Sequence, residues 1–225
     1  MQEDTPDKGR IAILYSGGKD SVYTLHKARE LTGLEPVAIF MKPSLPWPNP
    51  HELNRNLMLE TLRLLKVDWV IVEPRGDPTT AVVEALRGIG ARAIATGDIY
   101  LWDHVYWVRS IAEKASVDVV MPMFNRDTGL LLQDVVKYGI EYTIIAVKEA
   151  GLRGILGLRV HEGNADWFLD EARRLGIDPM GEFAEYHTVV NKAPGFECEL
   201  DLKEYSRIQT LDGQLHILAE PAARC

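Results

Sequence analysis

The chain has 225 residues, 46% of them apolar and 26% charged, with a formal net charge of −8. That length fits one large domain or a domain with a small appendage, and the apolar share is enough for a real core. The acidic balance argues against broad electrostatic binding of nucleic acid, and no apolar run is long enough to span a bilayer.

The first residues, Met1-Gln2-Glu3-Asp4-Thr5-Pro6-Asp7-Lys8, are polar and do not read as a signal peptide. The first strand is expected at 11–15, a β-branched run, and a helix is expected from Val22 onward. Between them stands Ser16-Gly17-Gly18-Lys19-Asp20-Ser21. Adjacent glycines let backbone N–H groups approach an anion, and a helix start adds unpaired donors and partial positive charge. Lys19 adds a full charge, while Ser16 and Ser21 add hydroxyls. The run lacks the Gly-Lys-Ser/Thr ending of the common phosphate loop, which argues against a γ-phosphate kinase or GTPase. A plain helix-capping turn is the simpler alternative.

Further strands are expected at 37–41, 69–72, 93–96, 117–121 and 142–147, with helical segments between them. This alternation predicts an α/β fold, a doubly wound parallel sheet. After 37–41 the chain reads Lys42-Pro43-Ser44-Leu45-Pro46-Trp47-Pro48-Asn49-Pro50. Its prolines forbid helix and central strand. Trp47 is expected either to wall a substrate or to sit in a stiff surface connector. A helix is expected through Leu53–Leu65, another from Pro78, and another from Asp127 to a stop at Gly139. Gly97-Asp98 follows the fourth strand on the same sheet edge as the glycine turn. On pattern alone this is equally an ordinary strand-to-helix turn; the resemblance given below implies that Gly97 allows close approach of a nucleotide and that Asp98 meets ribose, metal or substrate.

The last third reads differently. A helix at 166–175 is followed by short strands at 186–190, 196–200, 206–211 and 214–218, with a hairpin signal at Asp212-Gly213. The expected division is therefore 1–160, a parallel α/β domain, and 161–225, a smaller, mainly antiparallel element; the resemblance described below implies that the first binds ATP and the second lies on the substrate side. Glu185 and His187 alternate on one strand face beside Glu182, either as an amine or substrate site or as a charged strand edge. Cys198 and Cys225 form no Cys-x-x-Cys pair. A structural zinc site and a paired-thiol relay lack support, and a reducing cytoplasm fits best.

Ser16–Ser21 resembles the pyrophosphate loop of the adenine-nucleotide α-hydrolase superfamily. Within it, the chain is most similar to the diphthine–ammonia ligase family and its bacterial-type relatives. The resemblance rests also on Leu45-Pro46-Trp47-Pro48-Asn49-Pro50, Thr96-Gly97-Asp98, Leu156-Gly157-Leu158-Arg159 and Gly181-Glu182-Phe183-Ala184-Glu185-Tyr186-His187-Thr188. It implies an ATP-dependent ligase with ATP and Mg²⁺, which adenylates a small-molecule or protein carboxylate and joins it to ammonia or an amine. ATP would be held by Ser16, Gly17, Gly18, Lys19, Asp20, Ser21, Gly97 and Asp98, with adenine read by backbone near Met41. Lys19, Asp20, Glu182, Glu185 and His187 would act in catalysis, with Asp20 also on Mg²⁺. Trp47, Glu182, Glu185, His187 and Thr188 would meet substrate.

The chain departs from that pattern at Phe183-Ala184, where the family usually has small, flexible residues. It also has Met180 where the family often has cysteine, and Arg109 as the only strong cation of Trp102–Arg109, a stretch that is usually arginine-rich. A nucleotide sensor without turnover and an RNA-modifying enzyme are the rival readings. The acidic charge and the unpaired cysteines count against the second. No membrane partner is expected, and a homodimer is left open.

Overall fold

Arg10–Leu14 forms β1, the middle strand of a five-stranded parallel sheet, in a computed structural model that describes residues 9–42, 49–210 and 212–225. Its companions are β2 (Glu35–Met41), β3 (Asp68–Val72), β4 (Ala91–Ala95) and β5 (Asp118–Val120), ordered β3-β2-β1-β4-β5. Alternation along β1 sets its two faces. Ile11 and Ile13 pack with α1 (Lys19–Thr32) and α3 (Arg55–Leu65), while Ala12 packs with α4 (Pro78–Ile89) and α5 (Trp102–Ala115). A four-residue helix, α2 (Pro50–Leu53), leads into α3. The doubly wound α/β fold expected from the sequence is what the chain adopts.

Local chemistry explains the element ends. Asp77 accepts from the N–H groups of Thr79 and Thr80 at 3.2 and 3.1 Å, with Pro78 at the first helical position of α4. Asp127 caps α6 (Thr128–Lys137) through the N–H of Leu130, at 2.8 Å.

The expected strand at 142–147 is present as β6 (Glu141–Val147), but it does not join the parallel sheet. It is the hub of a second sheet with β7 (Arg159–Val160), β8 (Tyr186–Lys192), β9 (Glu199–Gln209) and β10 (Leu215–Arg224). All of its pairings there are antiparallel. A strand paired along both edges and covered on both faces needs the same unbroken apolar run as a central parallel strand. The change of sheet therefore falls between Val120 and Glu141, earlier than the expected residue 160.

The helix α7 (Ala165–Leu175) ends at Gly176, as expected. The strands expected at 196–200 and 206–211 are largely one strand, β9, whose exposed Lys203-Glu204-Tyr205 interrupts the apolar pattern without interrupting the ladder. The Asp212-Gly213 signal does mark a hairpin, joining β9 to β10. Cys198 and Cys225, expected to be unpaired, form a disulfide that ties the end of β10 to the start of β9. Antiparallel pairing of Glu199 with Arg224 brings the two cysteines together, although 27 residues separate them in sequence. Among the described residues no helix is long and apolar enough to cross a membrane.

Candidate active site

The parallel order places β1 beside β4, with β2 and β3 on one side and β5 on the other. Connections diverge at such a switch point and open a crevice at the carboxyl ends of the strands. A cavity of about 460 Å³ lies there, bordered by Ser16, Asp20 and Ser21 after β1, Met41 at the end of β2, and Gly97 and Asp98 after β4.

The glycine turn is built for close packing. Gly17 takes φ +79°, and a Cβ there would run into the side chain and backbone of Met58 on α3. Ser21 Oγ accepts from the Gly17 N–H at 3.1 Å and donates to the Gly18 carbonyl at 2.9 Å, closing the turn on the first turn of α1. Gly18 has no side chain with which to cap α1. The cap comes instead from the second sheet, where Thr188 Oγ1 accepts from the Lys19 N–H at 3.1 Å. The Val190 N–H also donates to the Gly17 carbonyl, at 3.3 Å. The glycine turn, which follows β1 of the first sheet, is thus clamped by β8 of the second and packed against α3.

Lys19 does not line the cavity. Its side chain is 2% exposed, and Nζ donates to the Met180 carbonyl at 2.5 Å and to Asp20 Oδ2 at 2.9 Å. It also lies 5.0 Å from the centre of the Tyr186 ring. Asp20 faces both Lys19 and the cavity. Its Oδ1 is buried with no hydrogen-bond partner among the described residues. Desolvation pushes its carboxyl above the usual range; Lys19 opposes that, and Asp178 adds to it.

Glu182 reaches across from the second half of the chain. Oε1 accepts from the N–H groups of Ile99 and Tyr100, at 2.8 and 2.9 Å. Burial raises its carboxyl, the two N–H groups lower it, and Asp20 and Asp98 raise it again. Three carboxylates, Asp20, Asp98 and Glu182, therefore line one cavity.

Other expected site residues stand elsewhere. Glu185 turns back on its own loop and accepts from the N–H groups of Asp178 and Phe183, at 3.1 and 2.9 Å. It precedes β8 and shares no face with His187. His187 packs edge-to-face on His51, with ring centres 5.3 Å apart, and Thr188 is buried beneath the glycine turn. Neither lines the cavity. Gly97 borders the cavity and also packs closely: a Cβ there would sit 3.0 Å from Thr24 Oγ1 and 3.1 Å from the Asp20 carbonyl, so the glycine lets the turn after β4 meet α1. Arg159 pairs with Glu141 and Glu199, at 2.8 and 2.9 Å, in the second sheet. Trp47 lies outside the described residues.

Sequence reasoning gave no role to His51, His104 and Trp107, which are among the residues that line the cavity. His104 and Trp107 are one turn apart on α5, directly after Asp98, so helical spacing carried that signal. His51 carried none, because its neighbours come from β8.

Ala184 holds φ +61°, a left-handed conformation, at the position where the Glu182–Thr188 motif lacks glycine. The strain costs about 1–2 kcal/mol, and glycine loses some of that gain to the entropy of its unfolded chain. Ala184→Gly is expected to stabilise the fold by about 0.5–1 kcal/mol, read from the urea midpoint. An unchanged or lower midpoint would show that this loop is not strained.

Three comparisons bear on kinship. No curated protein matches the chain significantly. Among solved structures, a predicted subunit of a tRNA methyltransferase from Methanocaldococcus jannaschii matches at 14% identity and TM-score 0.44, over 81% of this chain and 96% of that one. A universal stress protein family member from Burkholderia pseudomallei matches at 21% identity and TM-score 0.35, over 52% of this chain and 98% of that one. One from Arabidopsis thaliana, solved with AMP bound, matches at 8% identity and TM-score 0.34, over 52% and 92%. The family models are more telling: the diphthamide synthase N-terminal domain matches residues 9–119, and the diphthamide synthase C-terminal domain matches residues 127–220. Matched in both halves and in this order, the chain belongs to the diphthamide synthase (diphthine–ammonia ligase) family, whose type of function is ATP-dependent ligation.

Proposed function

We propose that the protein adenylates a substrate carboxylate with ATP, releases pyrophosphate, and passes the acyl group to ammonia or another amine. The observation that carries this reading is the clamped glycine turn at the switch point, which opens the start of α1 onto a 460 Å³ cavity. Helix-start donors suit an anion, and the doubly wound fold puts ligands at this edge. The phosphates would lie along Ser16–Ser21, with the adenine toward Met41.

A carboxylate-lined cavity disfavours a bare polyphosphate, so this reading includes a divalent cation. Asp20 suits it: Oδ1 is a hard oxygen donor, buried and without a partner among the described residues. No cluster of three or more ligating side chains stands ready for a metal among the described residues, so most other ligands would be phosphate oxygens and water. Mg²⁺ would supply charge neutralisation on the phosphates.

In the first step a carboxylate oxygen forms a bond to the α-phosphorus, and the bond from that phosphorus to the pyrophosphate oxygen breaks. In the second, the amine nitrogen bonds to the acyl carbon, and the carbon–oxygen bond to AMP breaks. Lys19 holds Asp20 and the Met180 carbonyl in place, so the loop keeps its shape while charge moves to the leaving group. Glu182 binds the turn after β4 to the second half of the chain and keeps the cavity closed on that side.

The acceptor is a small-molecule or protein carboxylate; the family name makes diphthine, on the elongation factor that bears it, the first to try. ATP labelled in the α-phosphate, incubated with ammonia, Mg²⁺ and a panel of acids including that factor, is expected to give AMP and pyrophosphate only with the right acid. ADP and phosphate as products overturn the reading. Tight ATP binding without acid-dependent AMP favours the nucleotide sensor.

A further inference from the structure

The cavity holds a second arrangement that the ligase reading leaves unused. Asp98, 10% exposed, sits at the turn between β4 and α5. Its Oδ2 accepts from Thr96 Oγ1 at 2.6 Å and lies 2.6 Å from His104 Nδ1. The His104 side chain is 39% exposed and lines the same cavity as Ser16, Asp20 and Ser21. Its ring lies against Trp107, with centres 5.0 Å apart and planes 34° apart, and Trp107 is itself fixed by its Nε1–H donating to Thr79 Oγ1 at 3.1 Å.

A carboxylate at Nδ1 selects the tautomer that carries its proton there, which leaves Nε2 as an acceptor. Asp98 thereby both orients the ring and stabilises it once protonated, as a carboxylate does behind a general base. The other basic groups around the cavity are engaged. Asp20 pairs with Lys19 through Oδ2 and, in the ligase reading, gives Oδ1 to the cation, and Glu182 is held by two N–H groups. His51 is pushed down to about 3 by burial, with His187 and Lys19 adding to the effect, which makes it a poor proton acceptor.

We propose that His104 Nε2 accepts the proton that the amine loses as it adds to the activated acyl carbon, with Asp98 as the positioning residue behind it. This rests on the ligase reading. The nitrogen lone pair forms the carbon–nitrogen bond, the nitrogen–hydrogen pair stays on nitrogen as its proton moves to Nε2, and the carbon–oxygen bond to AMP breaks with its electrons on the departing phosphate oxygen. His104 returns the proton to solvent through its exposed edge. In this proposal Asp98 acts through His104 by way of Oδ2.

The test compares two rates in one protein. Exchange of labelled pyrophosphate into ATP reports the first step, with the acid panel that includes the diphthine-bearing factor. Amide formation from ammonia reports both steps. In His104→Gln and His104→Ala the ratio of amide formation to exchange is expected to fall on the order of 10²–10³-fold, and the acid limb of its pH profile is expected to disappear. Hydroxylamine, whose adduct loses its proton more readily, should restore much of the ratio. Asp98→Asn should lower the ratio as well and shift the ¹⁵N resonances of His104 away from the Nδ1–H tautomer. A ratio within about threefold of the parent in both His104 variants overturns the proposal while the ligase reading stands. Absence of acid-dependent exchange in the parent protein overturns the ligase reading, and this proposal with it.

Discussion

Replacing Lys19 with methionine is expected to lower acid-dependent AMP formation on the order of 10²–10³-fold, comparable to the loss of one preorganised charge or donor at a developing anion. Methionine keeps most of the length of the chain, so the space of the buried stem, 2% exposed in Lys19, is still filled by an apolar chain. What goes is the charge. The Met180 carbonyl loses its partner, and Asp20, already pushed upward by burial, loses the cation that holds it down. Asp20 then takes up a proton more readily and is a weaker oxygen ligand for a cation on the phosphates. The variant should therefore lose turnover and need more Mg²⁺ for half-maximal rate. Asp20→Asn in the same background should add little, because the two side chains act as one unit. Kinetics with Mg²⁺ titration check this. Full activity in Lys19→Met removes the glycine turn from the chemistry. A rate loss with unchanged Mg²⁺ dependence assigns Lys19 to the leaving group directly, without passing through Asp20.

Much of the parallel domain was legible because its signals are local. Asp77-Pro78 announces a helix start within a few residues of the backbone donors it caps, and beyond the parallel sheet Asp127-Thr128 and Gly176 do the same for the start of α6 and the stop of α7. The glycine turn was legible for the same reason. Pairing was not. An unbroken apolar run says that 141–147 is covered on both faces, not which sheet covers it. The clamp on Lys19 joins residues 161 and 169 positions apart, and no periodicity connects them. Glu185 and His187 looked like a shared face because strand alternation was extended past the start of β8; the chain is still in a turn at Glu185, and alternation does not hold there. The disulfide follows from the β9–β10 register, which a hairpin signal at Asp212-Gly213 locates only loosely.

Acid should loosen this fold well before its carboxylates titrate. His187 is pushed down to about 4 by burial, with the charge of Lys19 and the proximity of His216 adding to the effect; His51 is pushed to about 3, with His187 and Lys19 contributing. In the unfolded chain both return to about 6.5, so below that pH the unfolded state binds more protons than the folded one. Stability from these two groups is complete above about pH 6.5 and is lost as the pH falls toward 4 and 3. At pH 5 each contributes a loss of about 2 kcal/mol, or about 4 together, a large share of a typical domain's stability. His26, pushed to about 4 by burial against the opposing charge of Glu30, acts in the same direction. Asp20 and Glu182, both raised, act in the opposite direction and offset part of the loss. Urea unfolding at pH 7.5 and pH 5 measures the difference, and His187→Gln, which cannot titrate, should reduce it by about 2 kcal/mol. Equal stability at the two pH values would mean that these histidines are charged in the folded protein and that the space between α2 and β8 is wet. The site should feel the same transition. A Cβ on Gly18 would lie 3.2 Å from Thr188 Oγ1 and 3.5 Å from the His51 ring, so the glycine turn is seated against His51 and the residue next to His187. Protonating either ring brings a second positive charge toward Lys19, and the cap that Thr188 places on α1 is the contact next to it.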